Sequence, residues 1–168
     1  MNSDQLRAAQ APFKAKYRES PEQALLTLRA KGRLSEGVSC SVETGKALVR
    51  AGLHPAAGGS GPTVCAGDML LEALVGCAGV TLNAVATAIG VTLRDATIEA
   101  EGDLDFRGTL GVSKEVPVGF QKIRVLISLD TDATEEQVAK LLQLTERYCV
   151  VFQTLKRPPE ITTTRKPK

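Results

Sequence analysis

Four cysteines and a single histidine are the residues of this chain best suited to nucleophilic or metal chemistry: Cys40, Cys65, Cys77, Cys149 and His54. The cysteines form no CxxC pair, and with one histidine they do not match a zinc-ligand spacing, so no metal site is predicted. A Ser-His-Asp triad is equally unsupported. Gly59-Ser60-Gly61 lacks the third glycine and the preceding strand of a dinucleotide fingerprint, and no GxxxxGK[ST] run occurs, so no cofactor-binding residues are assigned. Thiol chemistry or plain burial remains. By residue type alone Cys77 reads as a small core residue, because free cysteine is among the most buried types. For chemistry it would need help: at a free pKa near 8.5 only about 3% of a cysteine is thiolate at pH 7.

The elements that must position these cysteines are legible in outline. Asp68 to Gly90 reads as one helix, capped by Asp68 and ended by Gly90, with no charge between Glu72 and Arg94. Such a run invites a transmembrane reading, but Gly76, Gly79, Thr81, Asn83 and Thr87 make it less apolar than a lipid-facing span, which points to a helix buried all round in protein. Gly76, Ala78 and Gly79 permit close approach of a second helix, which keeps a dimer in view. Thr134 to Gln137 forms a capping box, and Val138, Leu141, Leu142, Thr145, Tyr148, Cys149 and Phe152 recur at helical spacing, putting Cys149 on the apolar face of a last helix.

Between these helices, Thr97 to Glu101 and Ile123 to Leu129 alternate as strands, and Val38 to Val42 with Ala47 to Val49 reads as a hairpin, so antiparallel strand groups flank the long helix. Leu53 to Gly67 is dense in glycine and proline and reads as a loop. Upstream, Asp4 to Tyr17 reads as a helix interrupted at Pro12. Ser20-Pro21-Glu22-Gln23 carries the cap signals of a second helix running to about Ala30. Thr162 to Thr164 reads as a short strand before a basic tail. The pattern is α+β, with an N-terminal helical extension over 1–31 and a main domain over 32–168.

Composition narrows the function classes. With 168 residues and a formal charge of +2, the chain has no general field to recruit phosphate backbones. Aromatic residues make up 4%, which leaves little to stack bases. Met1 to Ser20 has no apolar stretch of a secretory signal, so a reducing cytoplasm is the expected compartment, with neither nucleic acid nor membrane as partner.

The run Leu70-Leu71-Glu72-Ala73-Leu74-Val75-Gly76-Cys77, followed by Thr81-Leu82 and later by Glu146-Arg147-Tyr148-Cys149, closely resembles the OsmC/Ohr family. The Gly-Pro loop ahead of the helix, Glu101 to Asp105 with Arg107-Gly108, and Gly119-Phe120 agree with it, so the resemblance covers roughly residues 32–164. It implies an OsmC-like fold, with antiparallel sheets around a long buried central helix in an intertwined homodimer. It also implies a thiol-dependent peroxidase that reduces organic hydroperoxides. At the matching positions, Cys77 attacks the peroxide and becomes a sulfenic acid, and Cys149 resolves it as a disulfide. Lipoyl dithiols or small thiols then act as reductant, and no cofactor is needed.

The resemblance further implies an arginine beside the thiolate, and Gly32-Arg33 is the best match, with Arg50 and Arg107 behind it. Cys77 lies nine residues after Asp68, beyond the reach of the helix dipole, so a cation is expected to supply most of the shift. Two pH units require about 2.7 kcal/mol. The glutamate that usually holds the arginine, ten residues before the cysteine, is Gly67 here, which leaves Asp68 and Glu72 as supporting carboxylates. The proline that usually follows the second cysteine is Val150. Cys65 is an alternative resolving thiol or a bystander, Cys40 reads as packing, and His54 reads as exposed or at a pocket mouth. Two other classes remain open: a non-catalytic protein binding a small hydrophobic ligand on the same fold, and a structural subunit docking through residues 4–30.

Overall fold

The computed structural model describes residues 3–35, 39–42, 51–59, 64–165 and 167, and side chains for residues 8–26, 52–59, 64–165 and 167. In chain order it contains α1 (Ser3–Glu19), a 3-10 turn (Pro21–Ala24), β1 (Leu25–Ser35), β2 (Ser39–Val42), β3 (Ala51–Gly52) and a second 3-10 turn (Pro55–Ala57). There follow β4 (Val64–Cys65), α2 (Ala66–Ile89), β5 (Asp95–Asp105), α3 (Phe106–Thr109), β6 (Phe120–Asp130), α4 (Glu135–Tyr148) and α5 (Val150–Lys156).

The N-terminal region corrects two expectations. Helix α1 runs unbroken through the exposed Pro12, anchored near its end by the buried Tyr17, whose hydroxyl donates to the Ala56 carbonyl at 3.0 Å. The second helix expected to reach Ala30 is only the turn Pro21–Ala24, and Ser20 makes no side-chain cap bond to it. Residues 25–35 are instead a strand that crosses the boundary drawn after residue 31. It pairs antiparallel with β5 from Leu25 opposite Asp105 to Arg33 opposite Thr97. A ladder of that length outweighs a local helix-start signal.

Strand β1 also joins the two strand groups expected on either side of α2. One antiparallel sheet results, in the order β2-β1-β5-β6, while β3 and β4 form a two-residue parallel ladder. The second arm of the expected hairpin, Ala47 to Val49, lies outside the described residues. Residues 161–165 are neither helix nor strand, contrary to the expected terminal strand, and Ile161 is exposed. No strand of the described chain pairs with them.

Alternation on β5 turns Ala96, Ile98 and Ala100 into the core, where they share one apolar cluster with Leu71, Leu74, Val75, Ala78 and Leu82 of α2 and with Leu141 and Cys149. Each fully buried leucine contributes about 2 kcal/mol by area. Gly102 continues the row because the Phe120 ring occupies the space a side chain would need, 2.4 Å from an added Cβ. Alternate β5 residues carry charge: Arg124 of β6 bonds Asp103 at 2.6 and 2.7 Å and Glu101 at 3.1 Å. A second, smaller cluster joins Tyr17, Ala24, Ala56, Ala57, Phe106 and Leu110.

Helix α2 ends where Gly90 adopts φ 72, as expected of the glycine. It is not buried all round within the described chain. Leu71, Leu74, Val75, Ala78, Leu82, Val85 and Ala86 form the buried face, whereas Ala66, Leu70, Ala73, Val80, Ala84 and Ala88 are exposed. This helix is long and apolar enough to cross a membrane, and 39% of its most apolar window is buried inside the chain.

Candidate functional site

Cys77 sits at the middle of α2, within the row of alternating three- and four-residue spacing that includes Leu70, Ala73, Val80 and Ala84. It is only partly buried. Helix α4, started by the Thr134–Gln137 capping box, reaches it from the other side and stops at Cys149. The stop is conformational: Cys149 has ψ 108, outside the helical region, and α5 starts at the next residue. No proline is needed for this. The Cys149 N–H still donates to Thr145 O, and its carbonyl accepts from Gln153 N, both at 2.9 Å, so the break leaves its own backbone satisfied.

The break places Cys149 and the first two amides of α5 against Cys77. Burial pushes the Cys77 thiol up, but hydrogen bonds from the Val151 N–H, the Cys149 thiol, the Val150 N–H and the Thr81 hydroxyl outweigh it, and the net shift is downward. Cys149 moves the other way. Its side chain is fully buried, and burial first, then the neighbouring Cys77 sulfur, push it up to about 11. The two sulfurs are therefore unequal: Cys77 is the better thiolate, and Cys149 remains protonated as a donor to it.

The other residues singled out from sequence lie elsewhere. Cys65 is the N-cap of α2, twelve residues before Cys77, or about 18 Å along the axis. Asp68 stands in the first turn, about 13 Å from Cys77 along the axis, where burial raises its pKa against the opposing effects of His54 and the Cys65 N–H. Glu72 is five residues before Cys77, on a different face of the helix. His54 accepts from Ala56 N at 3.0 Å and lies 4.9 Å from the Phe106 ring. Arg107 is held by the buried Asp105 through bonds of 2.6 to 3.1 Å. Arg33 takes a register position opposite Ser41 and Thr97, and Cys40 one opposite Leu34. The side chains of both lie outside the described residues, as does all of Arg50. Of the donors to the sulfur, Thr81 and Val150 carry no assigned role in the sequence and Val151 carries no signal there. The four-residue spacing of Cys77 and Thr81, and the N–H that valine keeps and proline lacks, were the available signals.

Residues 58–164, more than half of the chain, match the family of OsmC-like proteins. The chain belongs to that family. An OsmC-like hydroperoxide resistance protein from Jannaschia sp. CCS1 has a similar structure, with a TM-score of 0.62 at 18% identity, covering 86% of this chain and 95% of that one. At that identity the likeness speaks for a shared OsmC-like fold of helices and antiparallel sheet. No curated protein sequence matches the chain.

Two clefts of about 300 Å³ and 310 Å³ share Val125 and Phe152, and Cys77 lines neither. One ends at Cys149 and Ala78, and the other opens between Lys122 and Lys156. Among the described residues no three His, Cys, Asp or Glu side chains converge as metal ligands.

Proposed function

We propose that this OsmC-like protein is a thiol-dependent peroxidase that reduces apolar organic hydroperoxides by a two-cysteine cycle. The observation that carries this reading is the unequal sulfur pair: a partly buried Cys77 with a lowered thiol, hydrogen-bonded to a fully buried Cys149 with a raised one. The Cys77 thiolate attacks the terminal oxygen of ROOH. An S–O bond forms, the O–O bond breaks, and the alkoxide takes a proton to leave as ROH. Cys149 then attacks the sulfenic sulfur, a disulfide forms, and the hydroxyl departs as water after taking up a proton. An external dithiol, a lipoyl group or a small thiol, returns both sulfurs to thiols by exchange. The Ala78, Val125, Ile127, Leu142 and Phe152 side chains that line the cleft at Cys149 favour a hydrocarbon-bearing peroxide over hydrogen peroxide. Arg33 serves as a cationic support of the thiolate in this reading, and Cys65, Asp68 and Glu72 have no direct part.

The working form is a homodimer in a reducing cytoplasm, joined across the exposed apolar row of α2. An uncharged helix with one face exposed favours a protein partner, which covers that row and completes the pocket around Cys77. The alternative is a ligand binder on the same fold, favoured by the size of the two cavities. Intact mass and peptide mapping after one equivalent of cumene hydroperoxide separate the two. Catalysis predicts a Cys77–Cys149 linkage in the wild type and an oxygen trapped on Cys77 in Cys149→Ser. A Cys77 that stays a plain thiol while exposed thiols oxidise would replace the peroxidase reading with the binder.

A further inference from the structure

The two clefts adjoin along α2. Leu74 lines one and Ala78 the other, four residues apart on the buried face of the helix and about 6 Å along its axis. With Val125 and Phe152 as shared walls they are neighbouring stretches of one groove. Each stretch alone stands at the lower end of the volumes that hold small molecules. Charge is unevenly placed along the groove. Lys122 and Lys156 line the stretch that opens to solvent, which has no acidic residue in its lining, whereas Glu146 lines the stretch that ends at Cys149.

A lysine at the edge of an apolar groove lays its hydrocarbon stem on the wall and keeps its ammonium in water. Lys156 is seated in this way: its Nζ stands 5.6 Å from the centre of the Phe152 ring, within cation–π range. Lys122 stands opposite Asp103 in the β5–β6 ladder, and both oxygens of that carboxylate are bonded by Arg124 at 2.6 and 2.7 Å. Among the described residues, neither lysine stands in an ion pair. Two ammonium groups at one end of an apolar groove and a carboxylate at the other select both the charge of a ligand and its direction. An anionic head is drawn to the lysines, and only an uncharged chain is tolerated towards Glu146.

We propose that Lys122 and Lys156 form a head-group subsite for a single-chain alkyl carboxylate, which rests its carboxylate at the two ammonium groups and passes its chain along Val125 and Phe152 towards Cys149. This rests on the reading of the groove as the ligand's route to the sulfur pair, and adds to it the charge and the direction of that ligand. Lysine suits the role because its ammonium is a compact charge with three donors, which meets a carboxylate without a fixed geometry. The reacting group of such a ligand lies along its chain, remote from the carboxylate.

Fluorescence titration with dansyl-labelled undecanoic acid and with its methyl ester tests the subsite in the wild type, Lys122→Gln, Lys156→Gln and the double variant. Loss of one partly exposed ion pair corresponds to about a two- to fivefold change in Kd. Each single variant is expected to weaken binding of the acid by that factor and the double variant by about the product, while the ester binds all four proteins within about twofold. Added salt is expected to weaken the acid and leave the ester unchanged. Both lysines are exposed, so glutamine is expected to leave the fold intact, which thermal unfolding checks. A wild type that fails to bind the acid, or binds acid and ester equally, would overturn the proposal, as would variants that weaken both ligands alike. The titration contains no peroxide. Selective binding of the acid by a protein whose Cys77 never oxidises would sink the peroxidase reading and leave the subsite standing, and an active peroxidase that binds acid and ester alike would do the reverse.

Discussion

At the scale of single residues, the division of labour proposed for Cys77 and Cys149 follows from burial and hydrogen bonding. Cys77 keeps partial access to solvent and its donors outweigh burial, whereas Cys149 is enclosed and burial outweighs the Phe152 and Val151 N–H groups that reach it. A thiol held protonated in the fold is linked to stability. Its contribution is complete well below the free cysteine value, where both folded and unfolded forms hold the proton. It is lost as pH rises towards about 11, because only the unfolded form ionises in that window. Urea unfolding at fixed protein concentration should therefore show the wild type losing about 2 kcal/mol more than Cys149→Ala between pH 9 and 11. Parallel slopes for the two proteins would mean that Cys149 is not held protonated. Access also sets the direction of reduction. An incoming thiolate can reach the Cys77 sulfur more readily than the enclosed Cys149, so the mixed disulfide with a small thiol should map to Cys77.

At the scale of elements, the site depends on a helix that stops without a breaking residue. Cys149 is already extended and Val150 is the first residue of α5, a position where proline fits a helix and removes only an orphan N–H. Val150→Pro should therefore keep the fold while deleting one donor to Cys77. Its alkylation midpoint should rise, and the first oxidation should slow about three- to tenfold. An unchanged rate in stopped-flow oxidation would assign the lowered thiol to the remaining donors. The sequence announced the helices in very different degrees. Bounds near Asp68 and Gly90 stood out because charge vanishes between Glu72 and Arg94, and the start of α4 stood out through its capping box. The break at Cys149 did not, since the apolar spacing runs through it undisturbed and the cause is packing against α2. Strand β1 was masked for the opposite reason. Ser20-Pro21-Glu22-Gln23 carries every local sign of a helix start, and pairing with β5, some seventy residues distant, overrides it. Cys77 itself is marked by the family pattern.

At the scale of the whole molecule, the proposed dimer would make α2 the tie between chemistry and assembly. The row on which Cys77 sits continues through Leu70 and Val80, each 38% exposed, too apolar a surface to leave facing water along a helix of this length. A charge placed there should separate the protomers. Size-exclusion chromatography with light scattering is expected to give a dimer for the wild type and a monomer for Leu70→Glu or Ala84→Glu, with peroxidase activity falling alongside. A monomeric wild type with full activity would remove the link between assembly and the pocket.

The separation of the apolar interior into two clusters has a consequence for how the molecule comes apart. Tyr17, Ala56, Phe106 and their neighbours bury a small area around α1, while the larger cluster encloses α2, β5 and Cys149. Small units open at lower free energy than large ones. Amide exchange should accordingly run ahead in α1, where the Tyr17–Ala56 bond acts as a clasp across 39 residues, and lag in α2. Fraying at the amino terminus would then proceed many times for each event that disturbs the two sulfurs, and a protease meeting the chain would shorten it well before silencing it.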